Sequence, residues 1–240
     1  MRESVPEEEM LREEREKRER AMEELKAEFQ REIAWRDTAI EHLTRLAYTD
    51  DLTGLYNRRK FNEEFSRRNK DREGTAAEKE GAQDIFLLLD LDNFKIVNDA
   101  FDEGHVGGDR VLKEAARHLF EKIKDIFRKD DLVARYGGEE FAVLLKDADV
   151  EQIEKRLRLG LTVMLDKEHV PITFSGGYTV VEPGEDLSEV FARADRALFV
   201  AKEDEELPDG RIKRGRNRIL PYSPEIENEI MEKREELAEE

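Results

Sequence analysis

Three acidic side chains stand where a folded chain tends to concentrate chemistry. Glu139 and Glu140 follow Gly137-Gly138, between the apolar runs Leu132 to Ala134 and Ala142 to Leu145. This pattern predicts a β-hairpin with two carboxylates at its tip. One glycine is expected to turn with φ > 0, and the missing Cβ atoms at both let a bulky ligand approach the main chain. Strand side chains alternate, so Glu139 and Glu140 should point to opposite sides, which suits metal binding better than a shared-proton pair. Taken alone, the hairpin also reads as an ordinary solvated turn. Asp90 changes that weighing. It closes the run Ile85-Phe86-Leu87-Leu88-Leu89, a buried strand with a carboxylate at its C-terminal end, the place where sites form in α/β sheets. If that strand lies beside the hairpin, Asp90 meets Glu139 or Glu140. Oxygen ligands in a chain without cysteine favour Mg²⁺ or Mn²⁺ over zinc, and a hard metal held by acids points to phosphate chemistry.

The elements that must position these acids are legible in outline. Asn57 to Asn69 reads as a helix with Phe61 and Phe65 on one face. A polar loop covers Lys70 to Gln83, and a short helical segment follows Asp92. Phe101 to Gly108 reads as a loop, and Asp109 to Ile123 as a helix with Val111, Leu112, Ala115, Ala116 and Leu119 inward. Beyond the hairpin, Ala148 to Leu165 is expected as a helix, Ile172 to Val181 as a strand interrupted by Gly176-Gly177, and Leu187 to Ala201 as a helix. Asn217 to Leu220 closes the sheet. The sum is an α/β sandwich with a mostly antiparallel central sheet flanked by helices.

Ahead of this domain, Pro6 to Ala47 has no glycine or internal proline and reads as one helix, roughly 60 Å long at 1.5 Å per residue. Met22, Leu25 and Phe29 keep heptad phase, as do Ile33, Ile40, Leu43 and Ala47 after a four-residue step. That is a seam with a stutter. A solvated single helix is the alternative to a parallel dimeric stalk. The expected division is a stalk at 1–48, a catalytic domain at 49–222 and an acidic, helical tail at 223–240 without an assigned role.

Of 240 residues, 42 are Lys or Arg and 60 are Asp or Glu, a net charge of −18, which disfavours a nucleic-acid partner. The absence of cysteine removes disulfides, thiolate catalysis and zinc fingers. No apolar run approaches the roughly 20 residues of a membrane span, so a cytoplasmic location is expected.

Four segments in order resemble the diguanylate cyclase family, the GGDEF domain. They are Asp50 to Arg59 (DDLTGLYNRR), Asp90 to Asp99 (DLDNFKIVND), Gly104 to Asp109 (GHVGGD) and Gly137 to Phe141 (GGEEF, a permitted variant). The likeness spans Asp50 to about Leu220 and includes Ala194 to Phe199 (ADRALF). It implies the palm-like fold of nucleotidyl cyclases and polymerases, and condensation of two GTP into cyclic di-GMP with release of pyrophosphate across a homodimer joined by the coiled coil. Two Mg²⁺ or Mn²⁺ per site are implied, held by Asp90, the Leu91 carbonyl and Glu139. Glu140 is either a further ligand or the group that polarises the 3′-hydroxyl. Lys95 and the amides of Asn93 and Phe94 would meet phosphates, while Asn98 and Asp109 would read guanine; without the resemblance Asp109 reads as a helix cap. Lys202 matches a phosphate-contacting lysine. Twelve residues, Glu203 to Arg214, separate it from Gly215-Arg216-Asn217; they are expected as a surface loop, and Arg211, Arg214 and Arg216 all remain candidates for the partnering arginine. Arg128 and Asp131 have the RxxD spacing of the family's product-inhibition site, with Arg156 or Arg158 as a second arginine. A module that binds cyclic di-GMP or GTP without turnover is the alternative function.

Overall fold

Ile85 to Leu89 are each at most 1% exposed, because the strand that carries them is covered on both faces. The computed structural model describes residues 7–72, 82–100, 105–126, 131–149, 161–164, 171–206, 212–213, 215–228 and 230. In it β2 (Ala82–Leu91) lies between two antiparallel neighbours, β4 (Glu140–Asp149) and β6 (Pro171–Val181). Outward from β4 come β3 (Leu132–Gly137), antiparallel, and β1 (Tyr56–Asn57), parallel to β3. On its far side β6 pairs with β5 (Leu161–Met164) at one end and, in parallel, with β9 (Ile219–Pro221) further along. The path is therefore β1-β3-β4-β2-β6-β5, with β9 beside β6.

Alternation along β2 divides the core in two. Ile85, Leu87, Leu89 and Leu91 pack against Val111, Leu112, Ala115, Ala116 and Leu119 of α4 (His105–Ile126). Phe86 and Leu88 face the other way, onto Phe61 and Phe65 of α2 (Arg58–Arg72) and Val190, Ala194 and Leu198 of α5 (Leu187–Lys202). A strand buried on both faces needs a continuous apolar run rather than an alternating one. By parity, Asp90 belongs to the face covered by α5. A third cluster joins Ala197 and Val200 to Ile226 and Ile230, so the start of the tail covers the outer side of α5.

Several expectations are corrected. Ala148 and Asp149 finish β4 and Leu161 to Met164 form β5, so the helix expected over 148–165 does not cover these residues; 150–160 and 165 lie outside those described. The β-branched Thr162 and Val163 find ladder partners in Thr173 and Ile172, and pairing outweighs local helix propensity. His105 to Gly108, expected as loop, open α4. β6 runs uninterrupted through Gly176-Gly177. A Cβ on Gly177 would lie 1.9 Å from the Ala194 carbonyl oxygen; the glycine is there because α5 rests directly on the strand. The segment after Lys202 is not plain loop but includes β7 (Glu205–Glu206) and β8 (Ile212–Lys213), an antiparallel pair apart from the main sheet.

The chain divides into two compact units, Met1–Ala47 and Tyr48–Glu240. The first consists of most of α1 (Glu7–Tyr48), whose Leu25, Phe29, Ile40 and Leu43 are 59–63% exposed. A long helix with unpartnered apolar residues in heptad phase fits a coiled-coil stalk. Among the described residues, no helix is long and apolar enough to cross a membrane.

Candidate active site

Asp90 stands opposite Glu140 in the β2–β4 register, and cross-strand partners lie with Cβ atoms about 5 Å apart. Phe141 turns into the α4-side core, so Glu140 shares the α5 face with Asp90. Glu139 occupies the turn, and its carbonyl accepts from the Leu91 amide at 3.3 Å. Strand alternation therefore does not govern the two glutamates, and both carboxyls feel Asp90. The turn also differs from expectation at its glycines. Neither Gly137 nor Gly138 takes a positive φ; a Cβ at Gly138 would meet nothing, whereas one at Gly137 would come 3.0 Å from Glu140 Oε2.

Electrostatics mark these acids as a set. Burial raises the Asp90 carboxyl above its usual range and Asp92 adds to this, against the opposing pull of Lys202 and Arg216. Burial followed by the charge of Asp90 raises Glu139. Burial, Asp90 and Asp195 raise Glu140. Such mutual repulsion creates a demand for positive charge. Part of that demand is met by Lys202, whose Nζ lies 2.6 Å from Asp90 Oδ1. Among the described residues, no three acidic or histidine side chains form a ready-made metal cage. The donor set nonetheless fits Mg²⁺, which is commonly held by one or two carboxylates plus substrate phosphates, and an ammonium already occupies the cationic position at Asp90.

The other expected residues are placed as follows. Leu91 is buried as the last residue of β2. Asn93 is exposed with φ 56°, turning the chain from β2 into α3 (Phe94–Ala100). Phe94 packs on the α4-side core, and Lys95 is exposed in the first turn of α3. Asn98 is half-buried against Gly108, where a Cβ would fall 2.3 Å from Asn98 Oδ1. The next residue, Asp109, is exposed and one turn inside α4 rather than at its cap. Asn98 thus lies against the residue that precedes Asp109. Asp131 accepts from the Lys146 amide at 2.8 Å, while Arg128, Arg156 and Arg158 lie outside the described residues. Despite the insertion, Arg216 returns to the site: its amide donates to Ala201 O at 2.8 Å and its charge acts on Asp90.

Two acids were missed by the sequence reading. Asp195 acts on Glu140 from α5, and its spacing of seven from Lys202 on one helix face was the available signal. Asp92, 4% exposed, receives the hydroxyls of Thr173 and Ser175, each at 2.6 Å.

Comparisons with known proteins agree with this architecture. The family described as "Diguanylate cyclase, GGDEF domain" matches residues 47–206. Diguanylate cyclase DgcP of Pseudomonas aeruginosa is 39% identical over 173 residues, 68% of this chain and 24% of DgcP. Diguanylate cyclase DgcZ of Escherichia coli is 33% identical over 193 residues, 77% of this chain and 56% of DgcZ. Among solved structures, the coiled coil and GGDEF domain of DgcB from Caulobacter crescentus, in complex with c-di-GMP, has a TM-score of 0.61 at 28% identity, covering 84% of this chain and 99% of that one. The GGDEF domain of PA1120 from Pseudomonas aeruginosa has a TM-score of 0.58 at 26% identity, covering 77% and 99%. The chain spans between a quarter and just over half of these two curated relatives. With the match covering most of the chain, and the paired acids standing at the strand end and hairpin that it includes, this protein belongs to the GGDEF diguanylate cyclase family.

Proposed function

We propose that the chain is a diguanylate cyclase that condenses two GTP into cyclic di-GMP and pyrophosphate as a homodimer. The observation that carries this reading is the register that sets Asp90 against Glu140, with Glu139 in the adjoining turn and Lys202 at hydrogen-bond distance from Asp90. Mg²⁺ or Mn²⁺, two per site, would be held by Asp90, the Leu91 carbonyl, Glu139 and Glu140, and would lower the pKa of the attacking hydroxyl and neutralise phosphate charge. Each 3′-hydroxyl attacks the α-phosphorus of the GTP on the other protomer, and pyrophosphate leaves. Where it does not ligate the metal, Glu140, whose carboxyl burial raises above its ordinary value, is the group that accepts the hydroxyl proton. Lys95 and the amides of Asn93 and Phe94 hold phosphate oxygens, and Lys202 exchanges Asp90 for phosphate beside Arg216. Asn98 and Asp109 read the guanine edge. The bare Cα atoms of Gly137 and Gly138 leave room for the nucleotide.

Within this reading, residues 1–48 are the dimerising stalk, 49–222 the catalytic domain and 223–240 an accessory tail. Arg128, Asp131 and Arg158 form the inhibitory site for the product. Incubation with GTP and Mg²⁺, with products separated by chromatography, tests the proposal. Cyclic di-GMP from the parent chain and none from Glu139→Gln supports it. No product from a nucleotide-stripped, dimeric parent chain refutes it and leaves a binding module.

A further inference from the structure

We infer that Asp92 is a positioning residue that fixes the Gly215–Asn217 turn against the end of α5, so that Arg216 and Lys202 are presented together at Asp90. The inference rests on the reading of Lys202 and Arg216 as phosphate-binding groups.

Arg216 and Asn217 stand at φ 77° and 51°, two consecutive left-handed residues that are not glycine. Such backbone persists only where its surroundings over-determine it. Two contacts hold these residues. The Arg216 amide donates to Ala201 O at 2.8 Å, and the Asn217 amide donates to Asp92 Oδ2 at 2.8 Å. Asp92 is in turn fixed by Thr173 Oγ1 on Oδ2 and Ser175 Oγ on Oδ1, both at 2.6 Å, and its own amide donates to Thr173 O at 2.9 Å. One buried carboxylate therefore joins the end of β2 to β6 and to the turn that carries Arg216. Charged acceptors make strong hydrogen bonds, and three donors converge here on a group that has only acceptors to offer.

Close packing makes the arrangement unforgiving. A Cβ on Gly215 would fall 2.1 Å from Glu203 O and 2.5 Å from Lys202 O, so the returning chain crosses the backbone next to Lys202. This crossing is how the twelve-residue excursion leaves Lys202 and Arg216 adjacent. Asp92 supplies the link from that crossing to the strand that bears Asp90, and the charge of Arg216 does reach Asp90.

The chemistry distinguishes substitutions at Asp92. Asparagine keeps an amide oxygen for the Asn217 N–H and the Thr173 hydroxyl, while its NH₂ donates to Ser175 after that hydroxyl rotates. Alanine leaves all three donors without an acceptor. The test measures the affinity of the full chain for a non-hydrolysable GTP analogue with Mg²⁺, by titration calorimetry, in Asp92→Ala, Asp92→Asn, Arg216→Ala and the Asp92→Ala/Arg216→Ala pair. Hydrogen exchange at the Asn217 amide is followed without nucleotide. Asp92→Ala should weaken binding about tenfold, as Arg216→Ala does, with the double variant no weaker than Arg216→Ala alone. Asp92→Asn should stay within about threefold of the parent and keep the Asn217 amide protected. Multiplying losses in the double variant, or unchanged Asn217 protection in Asp92→Ala, overturns the inference. If the parent itself binds no analogue, the phosphate-binding reading fails, and Asn217 protection still decides whether Asp92 holds the turn. Should Asp92→Ala not fold, Asp92→Ser carries the same test, since its hydroxyl is too short to reach the Asn217 amide.

Discussion

Burial, then Asp90, Asp195 and Glu139 push the Glu140 carboxyl above the ordinary glutamate range, and Lys202 opposes them. The sign of its effect on stability follows from linkage. Below the unfolded value of 4.5 the group is neutral in both states and costs nothing. As pH rises through the folded value the native state must carry a charge it disfavours, so Glu140 destabilises the fold at neutral pH. Glu140→Gln should therefore raise Tm at pH 7 by about 2 °C while abolishing turnover, and that gain should vanish below pH 4.5. Melting curves across that range check it; an unchanged or lower Tm at pH 7 counts against a strained acid site. That Asp90 lies beside Glu139 and Glu140 was legible because their carboxylates fall at a strand end and a hairpin tip. Asp92 was not singled out from its neighbour, since the spacing Asp90-Leu91-Asp92 places two acids on one face without saying that the second is consumed by Thr173, Ser175 and the Asn217 amide.

At the scale of elements, the hairpin is tied to the start of the domain by Arg135. Its Nε donates to Gly138 O at 2.9 Å and its Nη1 to both oxygens of Asp50 at 3.1–3.2 Å. Burial alone would raise Asp50, yet hydrogen bonds from Thr53 and the charge and hydrogen bonding of Arg135 hold it below its ordinary value of 3.8. The stability it contributes is present above 3.8 and lost as pH falls through the lowered folded value. Arg135→Ala should cost about 1–2 kcal/mol at pH 7 by urea denaturation, and less at acid pH. An equal cost at both would mean that the Gly138 contact, not the ion pair, carries the effect. A harsher test is Gly177→Ala, whose Cβ would collide with the backbone of Ala194 and Leu198 at 1.9 and 2.5 Å. Separating α5 from β6 should cost at least about 3 kcal/mol, read as a collapse of soluble yield or midpoint. That glycine pair was misread as a strand break because sequence shows the missing side chains and not the helix that uses the space. The hairpin and β2 were legible from their apolar runs. β5 was not, since Leu161 to Met164 become a strand only through pairing with β6.

The whole molecule adds a requirement that no single domain meets. In the proposed reaction, condensing two GTP needs two sites face to face, and each chain offers one set of Asp90, Glu139 and Glu140. In that reading α1 is the part that brings them together. Along α1, Leu25, Phe29, Ile40 and Leu43 are more than half exposed, and an apolar stripe in heptad phase is stabilised by a second copy of itself. Ile40→Glu with Leu25→Glu places like charges on that seam without touching residues 49–222. Sedimentation at micromolar concentration should then show monomers, and cyclic di-GMP formation per chain should fall at least about tenfold, because the second site must now be found by diffusion. The total rate should then rise as the square of enzyme concentration, and activity per chain in proportion to it. Full activity from a monomer would refute the proposed division between stalk and catalytic domain, whereas a stable dimer with intact activity would move the interface off α1. The helix itself was readable from sequence alone, because Pro6 to Ala47 carries no glycine or internal proline to break it.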